Sequence, residues 1–145
     1  MNILHVLSQV KPTGSEFYAC SLAKEHMKNG HKVFIVSDTL TASTEALFIE
    51  APISQRKFYQ RLSNIKLLKK LIKQYNIDIV HAHSRAASWV SYFATINTKT
   101  AFISTVHGRQ HLHTSTSLYN IYGDKVIAIC DSVLKHLINE VKIAE

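Results

Sequence analysis

Imidazole and guanidinium groups gather at two places in this chain, Val80-His81-Ala82-His83-Ser84-Arg85 and Thr105-Val106-His107-Gly108-Arg109. Each run opens in a short apolar stretch of the kind that forms a buried strand, so the polar groups fall where a strand would finish. In an open parallel α/β sheet the ligand crevice lies beyond the carboxyl ends of the strands. An imidazole placed there can donate to a hydroxyl or exchange a proton near neutral pH, which is the chemistry expected of His107 beside Gly108. Guanidinium groups at Arg85 and Arg109 would suit a phosphate or carboxylate; a solvated loop position is the simpler account of Arg109. His81 and His83 are two apart and point the same way as long as the strand lasts. The expectation is that one is packed and hydrogen-bonded while the other, His83, faces the crevice. His111 and His113 add further imidazoles, but the chain has no helical His-Glu-x-x-His pair and no cysteine cluster, so no metal site is expected.

A third candidate is the turn Lys11-Pro12-Thr13-Gly14-Ser15-Glu16 after the first apolar run. Backbone N–H groups at the start of a following helix can receive an anion, and Gly14 would let a phosphate come close. The spaced triple glycine of dinucleotide-binding loops is absent, and a tight turn with Ser15 as helix cap is the plainer alternative.

These groups need a frame. Ile3 to Leu7, Lys32 to Ser37, Asp78 to Ala82, Ala101 to Val106 and Lys125 to Ile129 read as strands, with Ala46 to Ile49 as a short additional one. Between them lie helical periods. Phe17, Cys20, Ala23 and Met27 mark one that ends at Asn29-Gly30. Leu62, Ile65, Leu68, Ile72 and Tyr75 mark another that ends at Asn76, and Ser84 caps a third running to about Ile96. A partly helical Leu112 to Tyr122 and a helix near Ser132 to Val141 complete the pattern. Alternating strands and helices predict a single α/β domain over residues 1–145: a Rossmann-like, doubly wound parallel sheet with helices on both faces.

Composition excludes several classes. With 46% hydrophobic and 19% charged residues, the chain is globular rather than disordered. No apolar run is long enough to span a bilayer. The start, Met1-Asn2-Ile3-Leu4-His5, lacks the basic region of a secretion signal, so a cytoplasmic protein is expected. Cys20 and Cys130 are expected to be reduced, buried thiols. The net charge of +7 has one address: Arg56, Lys57, Arg61, Lys66, Lys69, Lys70 and Lys73 lie between residues 51 and 77, where no acidic residue occurs. A solvated helix face is the usual explanation. Seven uncompensated charges with Phe58 and Tyr59 just upstream also suit an anionic membrane surface, with Lys66, Lys69, Lys70 and Lys73 as contacts. No recognition helix or aromatic RNA platform is present, so nucleic acid is not an expected partner.

Taken in order, Asn2-Ile3-Leu4-His5-Val6-Leu7, the Pro-Thr-Gly-Ser-Glu turn, Lys28-Asn29-Gly30-His31-Lys32-Val33, Asp78-Ile79-Val80-His81-Ala82-His83-Ser84, Ser104-Thr105-Val106-His107-Gly108 and Lys125-Val126-Ile127-Ala128-Ile129 resemble the N-terminal domain of a family 4 (group 1) glycosyltransferase of the retaining GT-B type. The resemblance covers nearly the whole chain. It implies the acceptor-side half of a hexosyltransferase-type enzyme that moves a sugar from a nucleotide sugar to a glycan or lipid-linked acceptor, as in cell-envelope polysaccharide, lipopolysaccharide or glycolipid synthesis. It also implies roles: Gly14 and Ser15 toward the donor's diphosphate, His107 toward the transferred sugar, and His83, Arg85, Gly108 and Arg109 toward substrate. No cofactor besides the nucleotide-sugar donor is implied. The family commonly has two glycines in the first turn, where this chain has Thr13-Gly14. The paired glutamates of the donor-binding C-terminal domain have no counterpart in the 145 residues, so the isolated chain is expected to be inactive, with a separate C-terminal donor-binding domain as one candidate partner. The expected location is the cytoplasm, including the inner face of the membrane. The contrasting expectation is a non-catalytic α/β binding or interaction domain, or a peripheral membrane module, left from a truncated or split enzyme.

Overall fold

The computed structural model of the chain describes residues 1–109 and 119–143. Six strands form one sheet: β1 (Asn2–Val6), β2 (Lys32–Ser37), β3 (Leu47–Glu50), β4 (Ile79–Ala82), β5 (Ala101–Val106) and β6 (Lys125–Ala128). Their order is β3-β2-β1-β4-β5-β6 and every neighbouring pair is parallel. Parallel strands need crossovers, and the helices α1 (Gly14–Lys28), α2 (Phe58–Gln74) and α3 (Arg85–Thr95) supply them. A short helix α4 (Asp131–His136) runs into a π-helical turn at Leu137–Val141.

Strand alternation sorts the core into two layers. Leu4, Val6, Phe34, Val36, Val80 and Ala82 point toward α2 and α3, where Leu68, Leu71, Ile72, Ala87 and Val90 meet them. Val33 and Ile35 point the other way, to Ala19, Cys20 and Ala23 of α1. Both layers are well buried: Leu4, Val6, Ile35, Leu68 and Val80 are 0% exposed, each worth about 1.5–3 kcal/mol relative to exposure.

Several local expectations change. The N-cap of α1 is Thr13, with Gly14 as the first helical residue; Ser15 sits inside the first turn, where its hydroxyl accepts from Gln9 Nε2 and meets Thr13 Oγ1, so it does not cap the helix. The buried stripe of α1 is Glu16, Ala19, Cys20 and Ala23, while Phe17 is 57% exposed. Leu62 of α2 also faces outward, and Asn64 takes a buried place because its amide donates to Pro52 O at 2.8 Å. Cys20 is buried as expected, but Cys130 is exposed. Ser84 caps α3 by accepting from the Ala87 N–H. Gly30, with φ of +79°, follows the C-cap Asn29 of α1, the left-handed position that favours glycine. Residues 112–118 of the stretch expected to be partly helical lie outside the described residues.

Candidate functional site at the sheet's switch point

Chain order reverses between β1 and β4, the adjacent central strands from which the sheet grows in opposite directions. Such a reversal opens a crevice at the carboxyl ends, since the flanking connections depart to either side. Register puts His5 of β1 directly beside His81 of β4. With Leu4, Val6, Val80 and Ala82 on the α2/α3 layer, alternation turns His5 and His81 toward α1. His83, just past the end of β4, joins them on that face: its ring centroid is 4.2 Å from that of His81 and 5.1 Å from that of His5.

The result is a buried imidazole seam. His5 Nδ1 and His83 Nε2 are 2.9 Å apart and share a hydrogen bond, and His81 Nε2 lies 2.7 Å from Thr105 Oγ1 on β5. His26 of α1 stacks on His5 from outside, with centroids 5.5 Å apart. His5, His81 and His83 are 0%, 4% and 2% exposed. Burial, reinforced by the neighbouring imidazoles His81 and His26, holds the His5 pKa well below its ordinary value. Burial and then His81, His5 and His107 do the same for His83. His81 is lowered to about 4 by burial, His26 and His107. The seam is therefore neutral at pH 7.

One nitrogen on each of His5, His81 and His83 comes within 4.8 Å of the others. Imidazoles that ligate metal are normally oriented by a partner on their second ring nitrogen. His5 Nε2 and His83 Nδ1 have no such partner, so if the 2.9 Å pair faced an ion, both rings would lack that support.

The seam backs onto an open pocket of about 750 Å³, lined by Thr13, Gly14, Ser15, Tyr18, His107, Ile127, Ala128 and Ile129. Tyr18 and His107 meet edge to face, with centroids 5.1 Å apart, and the His83 ring lies 5.9 Å behind His107. His107 is half-buried, and burial lowers its pKa, so it presents a neutral ring at the pocket. The polar side of the pocket is fixed by a knot of side chains in which Thr13 Oγ1 donates to Gln9 Oε1 at 2.6 Å and Gln9 Nε2 donates to Ser15 Oγ. Ser8 and Ser84 hydroxyls, 2.7 Å apart, tie the β1 and β4 exits together.

Glu16 anchors this loop from behind. Its Oε1 accepts from the Thr41 and Ala42 N–H groups and from Thr41 Oγ1, all at 2.6–2.7 Å. Burial alone would raise its pKa, but these hydrogen bonds outweigh burial and hold the carboxylate below its ordinary value. The β2–β3 connection is thereby pinned to the first turn of α1.

Gly14 and Gly108 share an informative property. Neither has a positive φ, and a Cβ added to either meets nothing within 4 Å. The fold does not require glycine at these positions, and both stand at the crevice with open space before them. Gly123 is the opposite case: with φ of +90°, a Cβ there would lie 2.5 Å from Phe102 O.

Of the residues chosen from sequence, Gly14, Ser15 and His107 line the pocket together, and Gly108 follows His107 at its rim. Arg85 opens α3 at the β4 exit, and Arg109 is exposed at the β5 exit. His83 differs from expectation. It is buried behind Tyr18 and His107 because its N–H bonds to Val6 O and its ring to His5, so it backs the pocket and does not face it. Lys66, Lys69, Lys70 and Lys73 stand apart on the outer face of α2. His111 and His113 lie outside the described residues. Sequence reading missed Tyr18, His5 and Gln9. His5 at the centre of an apolar run was the available signal, because a polar group there must find a partner on a neighbouring strand.

This architecture recurs in known proteins. The sequence model for Glycosyltransferase Family 4 matches residues 12–145, and the chain belongs to that family. A solved glycosyltransferase from Rickettsia africae ESF-5 is 33% identical, with a TM-score of 0.84; the match covers 99% of this chain and 40% of the Rickettsia chain. The lipopolysaccharide outer core galactosyltransferase WaaB shares the fold at 14% identity and a TM-score of 0.74, with 99% of this chain and 43% of WaaB covered. Anabaena HepE, solved in complex with UDP, shares it at 15% identity and a TM-score of 0.63 over 95% of this chain and 40% of HepE. No curated protein matches significantly. The chain thus spans about two-fifths of the length of these solved relatives.

Proposed function

We propose that this chain forms the acceptor-side wall of a retaining glycosyltransferase, which moves a sugar from a nucleotide sugar to a glycan or lipid-linked acceptor in envelope polysaccharide or glycolipid synthesis. The observation that carries the proposal is the pocket at the switch point, where the first turn of α1, Gly14 and the neutral His107 ring face one space. The solved relatives are in keeping with it: one transfers galactose to lipopolysaccharide and another holds UDP.

On this reading Gly14 and the N-terminal turn of α1 receive the donor's diphosphate, because the helix dipole and close backbone approach favour an anion there. Tyr18 and the buried seam fix the His107 ring, which accepts from or donates to a hydroxyl of the transferred sugar. The acceptor oxygen attacks the anomeric carbon on the face from which the diphosphate leaves. The carbon–oxygen bond to phosphate breaks as the new one forms, and the acceptor's proton passes to the departing phosphate oxygen. Stabilising that leaving group carries much of the catalysis, and besides the first turn of α1 most of the groups for it belong to the donor-binding half.

The test joins this chain to such a half. His107→Ala should lower turnover by roughly 10²-fold or more, as expected for loss of a positioned polar group, and weaken acceptor binding far less. Unchanged turnover would remove His107 from the site. The 145-residue chain alone should not turn over a nucleotide sugar, and sustained transfer by it would overturn the division of labour.

A further inference from the structure

Thr13 stands where a side chain normally caps a helix. As the N-cap of α1, with extended backbone at φ −142° and ψ 163°, it has the conformation in which a threonine hydroxyl accepts from the second or third N–H of the helix. Here no side-chain bond caps α1. The hydroxyl is turned aside to Gln9, donating to its Oε1 at 2.6 Å, while Gln9 Nε2 donates to Ser15 Oγ. Gln9 is 5% exposed, and its own carbonyl accepts from Thr39 Oγ1 at 3.0 Å, so the residue is held in place from behind.

The consequence falls on the first N–H groups of the helix. Those of Glu16 and Phe17 donate to the Thr13 carbonyl at 3.1 and 3.3 Å. Those of Gly14 and Ser15 meet no acceptor among the described residues, and both residues line the crevice pocket. An N-cap hydroxyl and an anion seek the same donors, so a released Thr13 side chain would compete with any anion for this turn. An amide at position 9 offers both an acceptor for Thr13 and a donor for Ser15. A carboxylate there would keep the first bond, lose the second and bring negative charge to the turn.

We propose that Gln9 is a positioning residue: by engaging the Thr13 hydroxyl it keeps α1 uncapped, and so leaves the Gly14 and Ser15 N–H groups for the diphosphate of a nucleotide sugar. Gln9 lies behind the lining of the pocket and acts through Thr13. The inference rests on the reading of the pocket given above and deepens it by naming what holds the turn open.

The test uses inorganic pyrophosphate as the probe and follows the Gly14 and Ser15 amide signals of the isotope-labelled chain by nuclear magnetic resonance. Both signals should move as pyrophosphate is added. Gln9→Met, which keeps the length of the side chain without either hydrogen bond, should weaken binding roughly fivefold to tenfold, the worth of an N-cap bond that the anion must displace. In a Thr13→Gly background no hydroxyl is left to cap, and the same Gln9→Met change should alter binding by less than about twofold. Dispersion of the amide spectrum shows whether each variant folds. One measurement needs no variant: the Ser15 amide hydrogen of the unsubstituted chain should exchange quickly with solvent, as an uncapped group does. Protection of that hydrogen would overturn the inference. So would undiminished binding by Gln9→Met, or a loss of binding that persists in the Thr13→Gly background, which would show that Gln9 supports the fold of the turn and not its openness. Unmoved Gly14 and Ser15 signals in the unsubstituted chain would instead overturn the anion reading of the pocket, and the role of Gln9 with it.

Discussion

The α1 face of the central strands and the outer face of α2 both concentrate basic nitrogen, and they treat it in opposite ways. His5, His81 and His83 are buried and neutral beneath α1, whereas Lys66, Lys69, Lys70 and Lys73 stand exposed in solvent. The difference lies in what each group must give up to enter the interior. An imidazole sheds its proton near neutrality and can then hydrogen-bond to another ring, as His5 does to His83. An ammonium group ordinarily releases its proton only near pH 10, so burial would cost far more. The crevice is therefore backed by a neutral polar seam, and the excess charge is left outside, where no carboxylate among the described residues pairs with it.

Exchanging the two kinds of group should break this arrangement most severely. His81→Lys would force an ammonium into the seam beside Thr105, and should remove about 3–5 kcal/mol of folding stability in urea titration, as an unpaired buried charge does. Lys69→His on the outer stripe should change stability by less than about 0.5 kcal/mol. A tolerated His81→Lys would show that the seam is not dry.

Acid should act on the same contrast with a smaller effect. The folded-state pKa values of the seam histidines lie below those of the unfolded chain. As pH falls through about 6.5 the unfolded chain takes up protons first, so stability drops, and the loss from His81 levels off once pH passes its folded value of about 4. His81 alone should account for roughly 2 kcal/mol by pH 5. Thermal melts between pH 7 and 4 would show the decline, and a flat profile would mean that the rings are already charged or solvated.

The smallest effects concern the glycines. Gly14→Ala should leave stability unchanged or raise it by up to about 1 kcal/mol, because its conformation and surroundings accept a Cβ. Gly123→Ala should cost more than about 1 kcal/mol through its positive φ and the Phe102 carbonyl. Chemical denaturation compares them directly. If Gly14→Ala proves as costly as Gly123→Ala, the glycine at 14 serves the fold and not a ligand.

Much of the frame could be read along the chain. Strands β2 and β5 match the expected spans to the residue, and Ser84 caps α3 as its sequence context predicted. These features are local: a run of branched residues or a hydroxyl before a helix carries its own physical reason. The loop between β1 and α1 was legible only as a turn. The N-cap position falls to Thr13, and its hydroxyl, like that of Ser15, is engaged by the Gln9 amide and not by a helix N–H, a partner that no capping pattern implies. Exposed Phe17 and Leu62 defeated the periodicity argument for a similar reason. Spacing gives a helix's faces, but which face is buried depends on where the neighbouring elements end.

The sequence by itself determined the alternation of strands and helices, the placing of Gly14 and His107 at strand exits, and the concentration of positive charge before Asp78, since composition and spacing act within short stretches of chain. Only the tertiary structure decided that His5 lies beside His81, that His83 is buried behind Tyr18 and His107, and that no carboxylate among the described residues pairs with the α2 lysines. Those relations join residues tens of positions apart, and they arise from strand order and register, which are fixed by packing the whole sheet at once.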